Sequence, residues 1–298
     1  MNRHVGNTLS LTLLLAGACG CSTFSQQAVD SNVVRCRQQC QAGLEAARRG
    51  KDANALDTFA AACESCPSDE RARRLYADAL WDHGDHPAAI EQMAKAQRLS
   101  GGDPEMTVRL GQMYLATGEV ERATAAAGRG IAAAPRSAEA WALEGDVLAR
   151  KQQYDAALAR YHRALSYRAE FPEVQFAVAE IYAQQGRHAR TLATLDALAT
   201  QYEPNSVPQQ LHILRGRSCN SLGRHREAAS ELSQAVRAAP PTPELLYELA
   251  AALAASGDTI AARMTAEQAL SLQPAHADSR KLLARLDGSQ PATLRRFR

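Results

Sequence analysis

Aromatic residues are scarce in this 298-residue chain, at 5% of positions, with only two tryptophans and five phenylalanines. A chain this long is near the upper limit for one compact core. With few bulky rings to fill such a core, it must pack through small residues. Its many alanines favour helix and let backbones approach closely. Charge of either sign is also missing in excess: 34 basic and 32 acidic residues leave a net +2. That balance gives no argument for the strongly basic face that nucleic-acid binding requires. No alternating run of β-branched residues argues for strands. No glycine-rich phosphate loop and no serine in a nucleophile-elbow context is present. The apolar run Leu9–Leu15 is too short for a bilayer span, which takes about 20 apolar residues. Cysteine is not scarce. Seven cysteines are many for a reducing compartment.

A period runs through the chain. Glycines stand at 50, 84, 118, 186, 223 and 257, separated by 34, 34, 68, 37 and 34 residues, with Gln152 at the skipped place. Five residues after these places come Ala55, Ala89, Ala123, Ala157, Thr191, Ala228 and Ala262. Seven before them come Gly43, Ala77, Gly111, Gly145, Ala179, Gly216 and Ala250. Pro67, Pro135, Pro240 and Pro274 close several periods, and Pro204 falls one place late. The pattern predicts two helices of about a dozen residues around a glycine turn, touching through small residues, with proline stopping the second. Asp103-Pro104 and Thr242-Pro243 read as helix starts, a capping side chain followed by proline in the first turn.

These positions resemble the tetratricopeptide repeat. Leu110, Gly111, Tyr114 and Ala123 match its signature in the third repeat, and Trp141, Gly145, Tyr154, Ala157, Tyr161 and Ala164 match it in the fourth. The resemblance implies an all-α, right-handed solenoid of about seven repeats, at 36–69, 70–103, 104–137, 138–171, 172–205, 209–242 and 243–276. Residues 277–287 read as a capping helix over the last apolar face, and 288–298 as a disordered basic tail. Thr191 and Leu198 are large for their places, and three extra residues separate repeats five and six, so a loop or bend is expected over 201–208.

Residues 1–18 read as an export signal that is removed. Leu15-Ala16-Gly17-Ala18-Cys19 resembles the lipobox of bacterial lipoproteins, which implies a lipid on Cys19, or on Cys21 as the weaker match. The polar stretch to residue 35 would then be a tether. The absence of an acidic residue after either cysteine implies an outer-membrane location facing the periplasm.

Cys36 and Cys40 are one helical turn apart, as are Cys63 and Cys66, and the two pairs flank the Gly50 turn almost symmetrically. In an antiparallel hairpin Cys40 then meets Cys63 and Cys36 meets Cys66. Two nested disulfides are expected, each contributing about 2–4 kcal/mol; a zinc site or four buried thiols are the other readings. Cys219 reads as a small core residue. His83 and His86 beside Asp82 and Asp85 look like metal ligands, but His86, His188 and His225 share one place after the turn, which argues for packing.

In this family the first helices line a concave face. By resemblance that face takes Arg74, Asp78, Trp81, Val108, Gln112 and Leu115 from repeats two and three. From later repeats it takes Asp146, Arg150, Phe176, Glu180, Ala183, Ile213, Arg217, Asn220 and Tyr247. Trp81 fits core or groove equally. The expected function is a lipid-anchored scaffold of an envelope assembly, for secretion, pilus or polysaccharide export. An adaptor for a cell-wall enzyme, or an unrecognised enzyme or metal protein, are the alternatives. Partners would be proteins in the groove and the membrane at the anchor. No cofactor, nucleic acid, small-molecule substrate or catalytic residue is expected.

Overall fold

A computed structural model describes residues 20–203 and 206–288. Cys19, Pro204 and the tail beyond Gly288 lie outside them. The described residues form fifteen α-helices and no strand. In chain order these are α1 (Gly20–Arg48), α2 (Asp52–Ser65), α3 (Glu70–Asp82), α4 (His86–Leu99), α5 (Pro104–Ala116) and α6 (Val120–Ala133). Next come α7 (Ala138–Arg150), α8 (Tyr154–Tyr167), α9 (Pro172–Gln184), α10 (His188–Ala199), α11 (Gln209–Ser221) and α12 (His225–Ala238). The last are α13 (Pro243–Ser256), α14 (Thr259–Leu272) and α15 (Ala277–Gly288). No described helix is long and apolar enough to cross a membrane. Consecutive helices pair, α1 with α2 through α13 with α14, as the 34-residue period predicts.

The boundaries follow from local chemistry. Asp69, Asp103, Ser137 and Thr242 each cap a first helix, the side-chain oxygen accepting the backbone N–H three residues on. Asp85 and Asp258 do the same for α4 and α14. Between the helices of each pair the backbone turns through positive φ, at Gly50, Gly84, Gly118, Gly186, Gly223 and Gly257. Gln152 takes the same conformation, φ +60°, and is the one non-glycine among the described residues to do so. One expectation changes: α1 begins at Gly20, so the backbone of the segment expected as a tether runs as helix into the first repeat.

The chain divides into two compact units, residues 1–133 and 134–298. The first holds α1–α6, three pairs whose inner faces carry Phe59, Met93 and Met113 among fully buried alanines. The second holds the four pairs α7–α14 and the cap α15. Its core runs from Tyr161, Val174 and Val178 through Leu195, Leu198 and Leu211 to Leu232 and Leu249. Leu282 and Leu286 of α15 then cover Ala262 and Ala266 of α14, and Arg263 pairs with Asp287 at 2.5 Å. This is the end cap a repeat stack requires.

The two helices of a pair meet through a size exchange sixteen residues apart. A Cβ on Gly43 would lie 2.6 Å from the Phe59 ring, one on Gly145 2.5 Å from Tyr161, and one on Gly216 2.7 Å from Leu232. Such distances are far inside van der Waals contact. Glycine on the first helix is therefore what admits the large residue on the second.

Candidate functional site

The first helices of the repeats position the residues assigned to the groove. In the first unit α3 carries Arg74, Asp78 and Trp81, and α5 carries Val108, Gln112 and Leu115. The charged ones are engaged between neighbouring repeats. Arg109 Nε donates to Asp78 Oδ1 at 3.0 Å, and Arg74 pairs with Glu105 at 3.3 Å. All four are a third or more exposed, so each pair is worth about 0–1 kcal/mol and sets register more than stability. Trp81 is half-buried and its ring lies tilted against His86, with centroids 4.2 Å apart. Gln112 is half-buried. Val108 and Leu115 are corrections: both are buried in the core, because their side of α5 faces neighbouring helices and not solvent.

In the second unit Arg217 of α11 is also occupied, its guanidinium forking onto Glu248 of α13 at 2.8 and 2.7 Å. That pair holds the Arg217 guanidinium above its usual range, the hydrogen bond to Glu248 being the larger cause. Asn220 Oδ1 lies 2.7 Å from His225 Nδ1. Tyr247 is half-buried beside His276, with ring centroids 5.8 Å apart. Arg150 is exposed, and Ala183 and Ile213 are half-buried.

Asp146 of α7, Phe176 and Glu180 of α9, and Tyr161 of α8 form a different arrangement. Because Gly145 has no side chain, the Tyr161 ring slides under α7 and its hydroxyl donates to Asp146 Oδ1 at 2.7 Å. Burial pushes the Asp146 carboxyl above the usual carboxylate range, against the opposing pull of that hydrogen bond. Burial alone pushes Glu180 up as well. The Tyr161 hydroxyl is held protonated by burial first, and then by both carboxylates. No cation among the described residues lowers either acid. The groove of this unit thus has two uncompensated carboxylates over a buried phenol. Sequence reasoning misses Tyr161's part in it. The readable signal is its place sixteen residues after a glycine.

Phe176 also lines a cavity of about 220 Å³ with Pro172, Leu198, Tyr202, Pro208 and Leu211. It lies beside the three-residue insertion, where the described residues 200–203 and 206–208 between α10 and α11 are outside any helix. Thr191 fits its small-residue place by burying fully, its hydroxyl 3.4 Å from the Ala179 and Arg187 carbonyls.

The four cysteines of the first repeat converge. Cys36 and Cys40 on α1 share a core cluster with Ala62 and Ala72, against which Cys63 and Cys66 pack. All four are thiols here. The Cys66 thiol donates to the Asn32 carbonyl at 3.4 Å. Cys219 is a buried thiol in the core of α11 and α12. Among the turn histidines, the His86 ring lies tilted against Trp81 and His225 meets Asn220. No group of three or more His, Cys, Asp or Glu among the described residues is arranged to hold a metal.

Four family models match, described as tetratricopeptide or TPR repeats, over residues 40–104, 80–147, 145–186 and 243–276. This chain belongs to the tetratricopeptide repeat family. No curated protein matches it. Solved structures with the same fold include a tetratricopeptide repeat protein from Parabacteroides merdae. That protein is 14% identical, with a TM-score of 0.59, covering 85% of this chain and 99% of its own. YrrB, described as a TPR protein with an unusual peptide-binding site, is 18% identical with a TM-score of 0.54, covering 64% of this chain and 97% of its own. Pseudomonas aeruginosa PilF is 14% identical with a TM-score of 0.50, covering 86% and 99%. Tetratricopeptide repeats are protein-binding scaffolds. The exposed faces of this member are therefore read for a protein partner.

Proposed function

We propose that this tetratricopeptide repeat protein is a scaffold of the bacterial envelope. It is lipid-anchored at Cys19 and uses the first-helix face of its second unit to hold a basic, apolar segment of a partner protein. The observation that carries the binding reading is the pair Asp146 and Glu180, raised by burial and compensated by no cation, beside half-buried Phe176. A lysine or arginine laid between these carboxylates recovers Coulomb energy in a partly desolvated site, where it is worth more than in open water. An adjoining aliphatic or aromatic side chain would bury against Phe176. Arg74, Asp78 and Arg217, already paired across repeats, hold neighbouring first helices in register. The anchor reading rests on the small residues Ala16, Gly17 and Ala18 before Cys19.

Both halves are tested in cells. A photoreactive residue in place of exposed Glu173 should capture one partner. Phe176→Ala with Glu180→Gln should cut that capture by about tenfold or more, the ~1.4 kcal/mol or more that a lost ion pair and ring contact represent. Unaltered capture would remove this face from consideration. In the same cells an alkyne fatty acid should label the wild type and not Cys19→Ser. Label that persists in Cys19→Ser and disappears in Cys21→Ser moves the anchor to Cys21, and no label in the wild type removes it.

A further inference from the structure

We infer that the first helix pair is stapled by two nested disulfides, Cys36–Cys66 and Cys40–Cys63, formed by exchange with a disulfide donor. The four cysteines come from opposite arms of one hairpin and lie in one cluster around Ala62 and Ala72. The Cys36 thiol interacts with Cys66 across the two arms and with Cys40 along its own helix, which keeps all four sulfurs in one cluster. Cys40 and Cys63 stand one turn nearer the Gly50 turn, in the same cluster, where Cys63 feels the charge of Cys40. A thiol so placed gains little by staying reduced. Burial is the main cause pushing Cys36 up to about 12 and Cys63 to about 11, so both stand as protonated thiols at neutral pH and exchange slowly, through a small thiolate fraction. That pattern marks a structural bond rather than a reactive one.

Access decides where exchange begins. Cys36 is 1% exposed and Cys40 6%, whereas Cys66 is half-exposed just beyond the end of α2. With glutathione disulfide as donor, the Cys66 thiolate attacks one donor sulfur, forming a mixed disulfide and releasing one glutathione thiolate. The Cys36 thiolate then attacks the Cys66 sulfur and releases the second. Two electrons pass to the donor, and the two thiol protons go to solvent and the released glutathione. Half-buried Cys63 attacks the donor next, and Cys40 closes on it by the same two steps.

This staple does not rest on the partner-binding reading, because glutathione acts on the purified chain whatever it binds. The purified full chain is equilibrated with oxidised glutathione, blocked, digested without reduction and mapped by mass spectrometry. The expected linked peptides join Cys36 to Cys66 and Cys40 to Cys63, and reduction should lower the melting temperature by about 10 °C. Four alkylated thiols, or a Cys36–Cys40 link, would overturn the inference. A Cys36–Cys66 link with Cys40 and Cys63 alkylated would uphold the first bond and overturn the second. Cys36→Ala with Cys66→Ala, and separately Cys40→Ala with Cys63→Ala, should each lose only their own linked peptide. If either variant fails to fold, the wild-type map still decides.

Discussion

Gln152 holds a backbone conformation that the other repeats assign to glycine. At φ +60° its Cβ crowds the following carbonyl, a cost of about 1–2 kcal/mol that glycine does not bear. Part of that cost is offset, because glutamine has less freedom to lose on folding than glycine has. The turn hydrogen bonds are intact all the same, with Gln152 N–H reaching the Ala149 carbonyl at 2.9 Å. Gln152→Gly should therefore stabilise the protein by ~0.5–1 kcal/mol and raise the melting temperature by ~1–4 °C. A lower melting temperature in calorimetry would mean that the glutamine side chain contributes packing at the turn that outweighs the strain.

Within a helix pair, the size exchange between positions sixteen apart governs both packing and the site. Gly145→Ala puts a methyl 2.5 Å from the Tyr161 ring, and overpacking of that kind costs about 1–3 kcal/mol. Ala179 with Leu195 is the same pair of places in the next repeat, and both residues are fully buried. Gly145→Ala combined with Tyr161→Leu should thus recover most of the lost stability in a denaturant titration, while leaving Asp146 without its phenol donor. If the double variant is no more stable than Gly145→Ala alone, the exchange is not the cause. Helix order and boundaries are legible in the sequence because capping residues, turn glycines and closing prolines are local signals repeated in register. The exchange partners are less legible, since Phe59, Tyr161 and Leu232 share a place but not a residue type. The ion pairs from α3 to α5 and from α11 to α13 are not legible at all. Side-chain direction on adjacent first helices decides whether Asp78 or Arg217 meets a neighbour or a ligand, and period alone does not specify it. Val108 and Leu115, expected on the open face, lie in the core for the same reason.

For the protein as a whole, half-buried Asp146 and the more exposed Glu180 make stability and binding respond to pH in opposite directions. Burial raises Asp146 and Glu180, so between the ordinary carboxylate pKa of about 4 and the raised folded values the native state binds more protons than the unfolded chain. Stability therefore falls as pH rises through that window and is flat above it. At neutral pH the scaffold carries both charges at a cost. Asp146→Asn keeps an oxygen to accept the Tyr161 hydroxyl and removes one of the charges. Its melting temperature should exceed that of the wild type at pH 7, and the gap should narrow as pH falls through the raised range of the native carboxyl. A cationic partner reverses the preference, because it stabilises the ionised forms and must displace protons to bind. Capture through this face should then weaken as pH drops through the same window, and Asp146→Asn should weaken it above that window and make little difference below it. A variant that is less stable at pH 7 yet binds normally would show that Asp146 serves the core. A variant that is more stable but holds its partner less well is the expected result, because carboxylates kept for recognition are kept at the expense of stability.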